Sequence, residues 1–272
     1  MKLVPRTLKR PAHKYAIDAA YLGDERALAW TNLGDWQNTD DYKTACQQLA
    51  DHLAQAVQLN ASDHVLDLGC GQGASLHHWL THYQIQHLTG IELQADQVQR
   101  IRQQLGQQVR VEQGSFLNLN AFNFRQSFDV ALCIDAAYHS NLQHFLNAVR
   151  AVLKSNGRVG FHYLMLSDQW QQLSALRKQK YRYLLKLADV ELSHLNDCTT
   201  MTQHIKQQGF HQVQITDISA SVLGGFADYI RSSTVQNNKD LAQIKIWATA
   251  KLCGYLYQKG VIRYVQIRAS KD

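Results

Sequence analysis

Short apolar runs alternate with amphipathic stretches through the first part of the chain. The runs at 64–69, 87–92, 109–114, 128–135 and 158–166 predict buried strands, and the stretches at 74–83, 94–105 and about 141–154 have the composition of helices. An upstream helix over 43–58 spaces its apolar residues four apart. This order predicts an α/β fold, a Rossmann-like doubly wound sheet that is mostly parallel, with helices on both faces.

The alternation stops after the fifth strand. Two helical segments, 167–200 and 222–258, are too long for simple crossovers, so we expect helical lid insertions over one end of the sheet. Strands at 211–219 and 261–268 predict a hairpin-like pair, which gives the sheet one antiparallel strand. In the first segment, Thr200 is the candidate N-cap of a short helix.

The whole chain, 1–272, is predicted to be a single domain. Residues 1–60 would form an N-terminal helical cap and residues 61–166 a cofactor-binding half. The composition, with 45% hydrophobic and 18% charged residues, is typical of a globular protein. No apolar run is long enough to span a bilayer and no signal peptide is recognisable, so we expect a cytoplasmic protein.

The net charge of +6 is unevenly distributed. Residues 1–14 and 239–272 each carry a charge of +5, and the intervening chain carries −4. A protein that binds nucleic acid usually carries its basic residues as a stripe on the surface that contacts the nucleic acid. We therefore expect no nucleic-acid partner.

The strongest motif is VLDLGCGQG at 65–73, where the first predicted strand enters a glycine-rich turn. Gly69 and Gly71 allow the backbone to turn tightly and to approach a ligand closely. The N–H groups at the start of the following helix form a polar cradle. Glu92 ends the next strand, where a carboxylate accepts both hydroxyls of a ribose. The motif predicts a nucleoside cofactor.

The identity of that cofactor depends on Asp67. Gly69, Gly71 and Ala74 also fit the dinucleotide fingerprint, so a Rossmann oxidoreductase is a second alternative. A carboxylate two residues before Gly69 would repel a pyrophosphate by about 1–4 kcal/mol. It would instead attract the ammonium and sulfonium groups of S-adenosylmethionine, which this argument favours.

These segments resemble class I S-adenosylmethionine-dependent methyltransferases of the small-molecule branch, which includes natural-product, sterol and cyclopropane-synthase-like enzymes. GIELQADQV, EQGSFLNL and FDVALCIDAAYH are similar to the later motifs of that family and follow in the same order. The resemblance implies a methyl transfer from S-adenosyl-L-methionine, with S-adenosyl-L-homocysteine as product. It also implies a small-molecule acceptor that is methylated on O, N or C.

The resemblance implies roles for individual residues. Glu92 would hold the ribose hydroxyls and Gln97 would lie near the cofactor, while Phe116 would stack on the adenine. Ser115 stands where the family commonly has an acid that bonds the adenine amino group. The predicted cofactor-binding residues are Asp67, Gly69, Cys70, Gly71, Glu92, Leu93, Gln97, Ser115, Phe116 and Asp135.

Candidate catalytic residues follow the fourth strand, at the sheet edge where open α/β sheets bind ligands. They are Asp135, Tyr138 and His139. A histidine titrates near neutrality and can take a proton from an acceptor. A shape-determining role for His139 is the alternative.

Three further side chains, Tyr21, Trp36 and His162, are predicted to line the acceptor site or the lid. His78 and His82 have zinc-like spacing, but no third ligand accompanies them. We therefore expect exposed helix residues there and no metal. A homodimer is a further expectation. The last alternatives are an RNA methyltransferase that uses the basic ends and a non-catalytic module that binds the nucleoside cofactor.

Overall fold

A computed structural model of the protein describes residues 18–233 and 240–272. Within them a seven-stranded sheet has the order β3-β2-β1-β4-β5-β7-β6. The strands are β1 His64–Leu68, β2 His87–Glu92, β3 Arg110–Gln113, β4 Phe128–Cys133, β5 Leu153–Leu166, β6 Phe210–Asp217 and β7 Ile262–Lys271. The first five are parallel, and β7 runs antiparallel to β5 and β6. The predicted Rossmann-like sheet with one antiparallel strand is confirmed.

Helices flank this sheet. In the described part of the chain they are α1 Tyr42–Ala56, α2 Ala74–Thr81, α3 Ala95–Leu105, α4 Leu142–Val152, α5 Ala175–Leu187, α6 Cys198–Gln207, α7 Gly225–Ser232 and α8 Leu241–Lys259. Close packing of α1 on β5 depends on Gly160, where a Cβ atom would lie 2.6 Å from Val57 Cγ1. The sheet core is continuous with the buried face of α1, which includes Leu49 and Leu53.

Local capping explains where the helices begin. Asp41 precedes α1, and its side chain accepts a hydrogen bond from the Thr44 amide. The same arrangement starts α6, where Asp197 Oδ1 accepts from the Thr200 amide at 2.8 Å. Thr200 was predicted to be this cap, and that prediction is wrong because the carboxylate of Asp197 already satisfies the first turn.

The two predicted insertions contain α5, α7 and α8. Residues 234–239 of the second insertion, and residues 1–17 with the first basic end, lie outside the described residues. Over 18–233 and 240–272, we find no helix with the length and apolar character required to cross a membrane.

Candidate functional site

A cavity of about 1120 Å3 opens at the carboxyl ends of β1 to β4. It is larger than the roughly 300–1,000 Å3 of a typical small-molecule site, so it has room for more than one ligand. The glycine turn after β1 lines it, and so do residues of α5 and α8. The ten predicted cofactor-binding residues and the three predicted catalytic residues all line this cavity.

The glycine turn has the left-handed backbone that its sequence predicts. Gly69 has φ 72° and Gly71 has φ 55°, conformations that disfavour other residues. A Cβ atom on Gly71 would lie 2.9 Å from Thr31 Oγ1. The turn is held against β2, since the Gly69 amide donates to the Ile91 carbonyl at 2.8 Å. The backbone therefore forms an open cradle that a side chain would fill.

Glu92 is fixed beside this turn. Its Oε2 accepts from the Gly71 amide and its Oε1 accepts from the Gln94 amide, each at 2.9 Å. A carboxylate has about four acceptor positions, and each of these amides uses one of them. The side chain is buried and lines the cavity, as a carboxylate that receives ribose hydroxyls must.

Asp67 is a buried carboxyl at the end of β1. Burial raises its pKa to about 6, against hydrogen bonds from Ser75 and Trp79 that favour the charged form. The Trp79 indole donates to Oδ2 at 2.8 Å. A cationic ligand would stabilise the ionised form of this group. This environment suits the positive charges of S-adenosylmethionine and opposes a pyrophosphate.

Polar atoms around the cavity complete the test of fit. Gln97 Oε1 is buried and has no hydrogen-bond partner among the described residues, which leaves an acceptor for a donor of the ligand. Phe116 lies beside the glycine turn, and its ring packs edge-on against Phe145 at a centroid distance of 5.7 Å. Ser115 Oγ accepts from the Leu117 amide at 3.2 Å. The cavity thus offers groups that can accept hydrogen bonds from a ligand, an aromatic face and buried carboxylates. This combination fits an adenosyl sulfonium compound.

Asp135 connects three parts of the chain. Its carboxylate accepts from the Leu33 amide at 2.9 Å, from the Tyr138 hydroxyl at 2.9 Å and from the Tyr264 hydroxyl at 2.7 Å. The residue has φ 52°, a left-handed conformation that Asp tolerates better than most residues. Burial raises its pKa to about 6 despite these donors. Asp135 thus joins the N-terminal segment and β7 to the end of β4 at the cavity.

His139 follows one turn after Asp135. Its Nδ1 lies 3.1 Å from the carbonyl oxygen of Asp189, in the first insertion. A carbonyl oxygen only accepts, so Nδ1 carries the proton in the neutral ring and Nε2 keeps its lone pair. This is the tautomer that a general base requires.

Three predicted acceptor-site residues do not line the cavity. Trp36 stacks on Tyr229 at 4.2 Å, and the hydroxyl of Tyr21 contacts the carboxylate of Asp240. His162 is fully buried behind Asp135, whose amide donates to its Nδ1 at 3.3 Å. Burial lowers the pKa of His162 to about 4 and keeps it neutral. Tyr21 and Trp36 thus contact the second insertion, and the place of all three at the acceptor site or the lid stays a prediction.

The prediction that His78 is exposed is wrong. The side chain is buried, and its Nε2 lies 2.6 Å from Asp51 Oδ1. Sequence reasoning also missed Tyr264, which lies 129 positions from the carboxylate that it binds. Trp30 lines the cavity in place of the two aromatic residues that were predicted to do so. No local pattern connects these residues to the site.

Comparisons with known proteins agree with this geometry. Residues 65–157 match a family model described as a methyltransferase domain. The chain is 26% identical over 227 residues to the O-methyltransferase cnsE of Penicillium expansum, covering 78% of this chain and 79% of that protein. It is 24% identical over 238 residues to erythromycin 3''-O-methyltransferase of Saccharopolyspora erythraea, covering 82% and 76%.

A solved structure has the same fold at low identity. A geranyl diphosphate methyltransferase, in complex with GPP and sinefungin, superposes with a TM-score of 0.74 at 16% identity. The match covers 95% of this chain and 97% of that one.

Proposed function

We propose that this chain, an S-adenosylmethionine-dependent methyltransferase, methylates a hydroxyl oxygen of a small molecule held in the cavity. The observation that carries the choice of oxygen is the contact between His139 Nδ1 and the Asp189 carbonyl. It sets the neutral tautomer in which Nε2, and not Nδ1, is the basic nitrogen of the ring. A general base is needed only when the acceptor atom is protonated, as a hydroxyl is.

S-adenosylmethionine supplies a methyl group on a sulfonium when it is bound, and it becomes S-adenosylhomocysteine. Glu92 and Gln97 would hold its polar atoms and Phe116 would pack on its adenine. Asp67 would favour its positive charge. The two relatives described above carry O-methyltransferase names, which supports the same class of acceptor.

The protein's own part in the reaction is alignment and proton removal. His139 Nε2 takes the hydroxyl proton as the acceptor oxygen attacks the methyl carbon. Asp135 accepts hydrogen bonds from Tyr138 and Tyr264 and so holds in place the turn that precedes His139. Apolar side chains of α5 and α8, among them Leu184 and Ile246, exclude water from the acceptor end of the cavity. In this role both insertions form a lid.

The test uses a panel of phenols and alcohols, with S-adenosylhomocysteine release and product mass as readouts. We expect a product heavier by one methylene, and His139→Gln should lower its rate by about 100- to 10,000-fold. His144→Gln, an exposed histidine on α4, is the matched control and should keep the wild-type rate. A full rate in His139→Gln would contradict the base, and cofactor binding without product from any acceptor would favour the non-catalytic module.

A separate binding measurement tests the alternatives. Thermal stabilisation by S-adenosylhomocysteine without stabilisation by a nicotinamide dinucleotide is expected. RNA should bind only weakly and lose its affinity with modest salt. A cytoplasmic location and a homodimer stay predictions.

A further inference from the structure

The two insertion helices that close the cavity carry positive charge only. Helix α5 and helix α8 have no aspartate or glutamate between their first and last residues. Their charged residues are Arg177, Lys178, Lys180, Arg182, Lys186, Lys245, Lys251 and Lys259. Within residues 18–233 and 240–272, none of these eight forms an ion pair with an acid.

Half of these basic residues belong to the cavity wall. Lys180 and Lys186 line it from α5, and Lys245 and Lys251 line it from α8. The two helices approach each other here, since the rings of Tyr181 and Tyr255 are 5.9 Å apart. Lys180 Nζ lies 4.5 Å from the centroid of the Tyr255 ring on the opposite helix. Positive charges therefore face a common space from two sides.

The acids that line the cavity are placed differently. Asp67, Glu92 and Asp135 belong to the sheet end, where the cofactor wall lies. Asp189 follows α5 and is the acid nearest in sequence to the lysines. The cavity is thus acidic where a sulfonium would bind and basic where the insertions meet.

Apolar side chains line the same cavity. They include Leu184, Leu223, Ile246 and Leu252, beside the lysines and His139. A ligand that satisfies this arrangement has an anionic group at one end and an apolar body. Its reactive hydroxyl would be on the part of that body that reaches His139. Repulsion between cations on facing helices is relieved when an anion binds between them.

We propose that Lys180, Lys186, Lys245 and Lys251 bind a carboxylate or phosphate group of the methyl acceptor. This inference rests on the proposed function, because it describes the acceptor of the same site. It assigns the acceptor to the class of apolar hydroxy acids or hydroxyaryl phosphates. Neutral acceptors of the same shape would bind more weakly.

The test compares matched probes on the full chain saturated with S-adenosylhomocysteine. Calorimetry gives the Kd of 4-hydroxycinnamate and of its neutral amide, and of 4-hydroxyphenyl phosphate and hydroquinone. We expect each anion to bind at least about fivefold more tightly than its neutral partner, as an exposed ion pair allows. The preference should shrink as salt is raised, because the lysines are exposed and screened.

Variants locate the effect. Lys180→Gln combined with Lys245→Gln should remove the preference for the anions and leave the Kd of the neutral probes within about twofold. Lys178→Gln combined with Lys259→Gln removes the same charge from the same helices outside the cavity wall, and it should keep the preference. Equal losses in the two double variants, equal affinity for charged and neutral probes, or no anion binding at millimolar concentration would each overturn the proposal.

The cofactor measurement separates this proposal from the one on which it rests. S-adenosylhomocysteine should bind all variants as it binds the wild type. If it does not bind the wild-type chain, the proposed methyl transfer fails. If it binds and the anion preference is absent, only the assignment of the acceptor's charge fails.

Discussion

Replacing Asp135 with asparagine should make the stability of this protein less sensitive to pH. Asparagine keeps the size of the side chain and tolerates the left-handed backbone at φ 52°. Its amide oxygen can still accept from Tyr138 and Tyr264, whose hydroxyls both bind Oδ1. Its NH2 group would face the Leu33 amide, which now donates to Oδ2.

Two opposing effects determine the size of the change. The lost hydrogen bond from the Leu33 amide costs about 1–3 kcal/mol at every pH. Against this, the pKa of Asp135 is raised from its ordinary 3.8 to about 6. Between these values the folded chain binds a proton that the unfolded chain has lost, so the free energy of unfolding falls as pH rises. For a group this deeply buried the fall amounts to about 3 kcal/mol.

The asparagine side chain does not ionise, so the variant avoids this decrease in the free energy of unfolding. The variant should therefore be about 1–3 kcal/mol less stable than the wild type near pH 4. Near pH 7.5 it should be equal in stability or more stable by about 1–2 kcal/mol. The assay is guanidinium unfolding followed by tryptophan fluorescence, with both proteins measured side by side across this range.

Asp129 provides a control of opposite sign. Lys154 lies 2.8 Å from its carboxylate, and this ion pair and the His64 amide hold the pKa of Asp129 below its ordinary value despite desolvation. This stabilisation is present above the ordinary pKa of 3.8 and is lost as pH falls below it, so Asp129→Asn, measured down to about pH 3, should cost more near pH 7.5 than near pH 3. A stability difference for Asp135→Asn that stays constant with pH would refute the reasoning about its burial.

Three other predictions concern the cofactor wall. Glu92→Gln should weaken S-adenosylhomocysteine binding at least about tenfold by calorimetry, the loss of a hydrogen bond to a charged group, while Glu112→Gln outside the cavity should not. Gly71→Ala should lose about 1–2 kcal/mol from its φ alone and more from contact with Thr31, and Gly23→Ala, also left-handed and with no atom within 4 Å, measures the first part separately. The ratio of S-adenosylmethionine to S-adenosylhomocysteine affinity should rise as pH increases through about 6, where Asp67 ionises; a constant ratio would show that this carboxyl does not sense the sulfonium.

The parts of the fold that depend on residues close to one another in the sequence were predictable. The alternation of apolar runs and helical stretches identified all seven strands to within a few residues, apart from the start of β5. The glycine turn and Glu92 were found because their chemistry follows directly from strand, turn and strand order. Their hydrogen bond, from the Gly71 amide to Glu92, spans only 21 positions.

The remaining features depend on contacts between distant segments. Trp36 was expected in the cavity, but a partner nearly two hundred positions away, Tyr229, stacks on it. The capping prediction at Thr200 failed for a local reason, because Asp197, three positions earlier, accepts the hydrogen bond of the Thr200 amide and caps the helix instead. The sequence shows that α5 is rich in lysine and arginine, but only the approach of α8 shows that its lysines share a cavity with other cations.

The position of β7 has a consequence for how the protein folds. This strand inserts between β5 and β6, although it is synthesised after both. It also carries Tyr264, so the carboxylate of Asp135 obtains its shortest hydrogen bond only after a segment 129 positions later has docked. Pairings of such long range form slowly, because loop-closure entropy must be overcome first. The chain therefore acquires a competent site late, in the same event that fills the gap in its sheet.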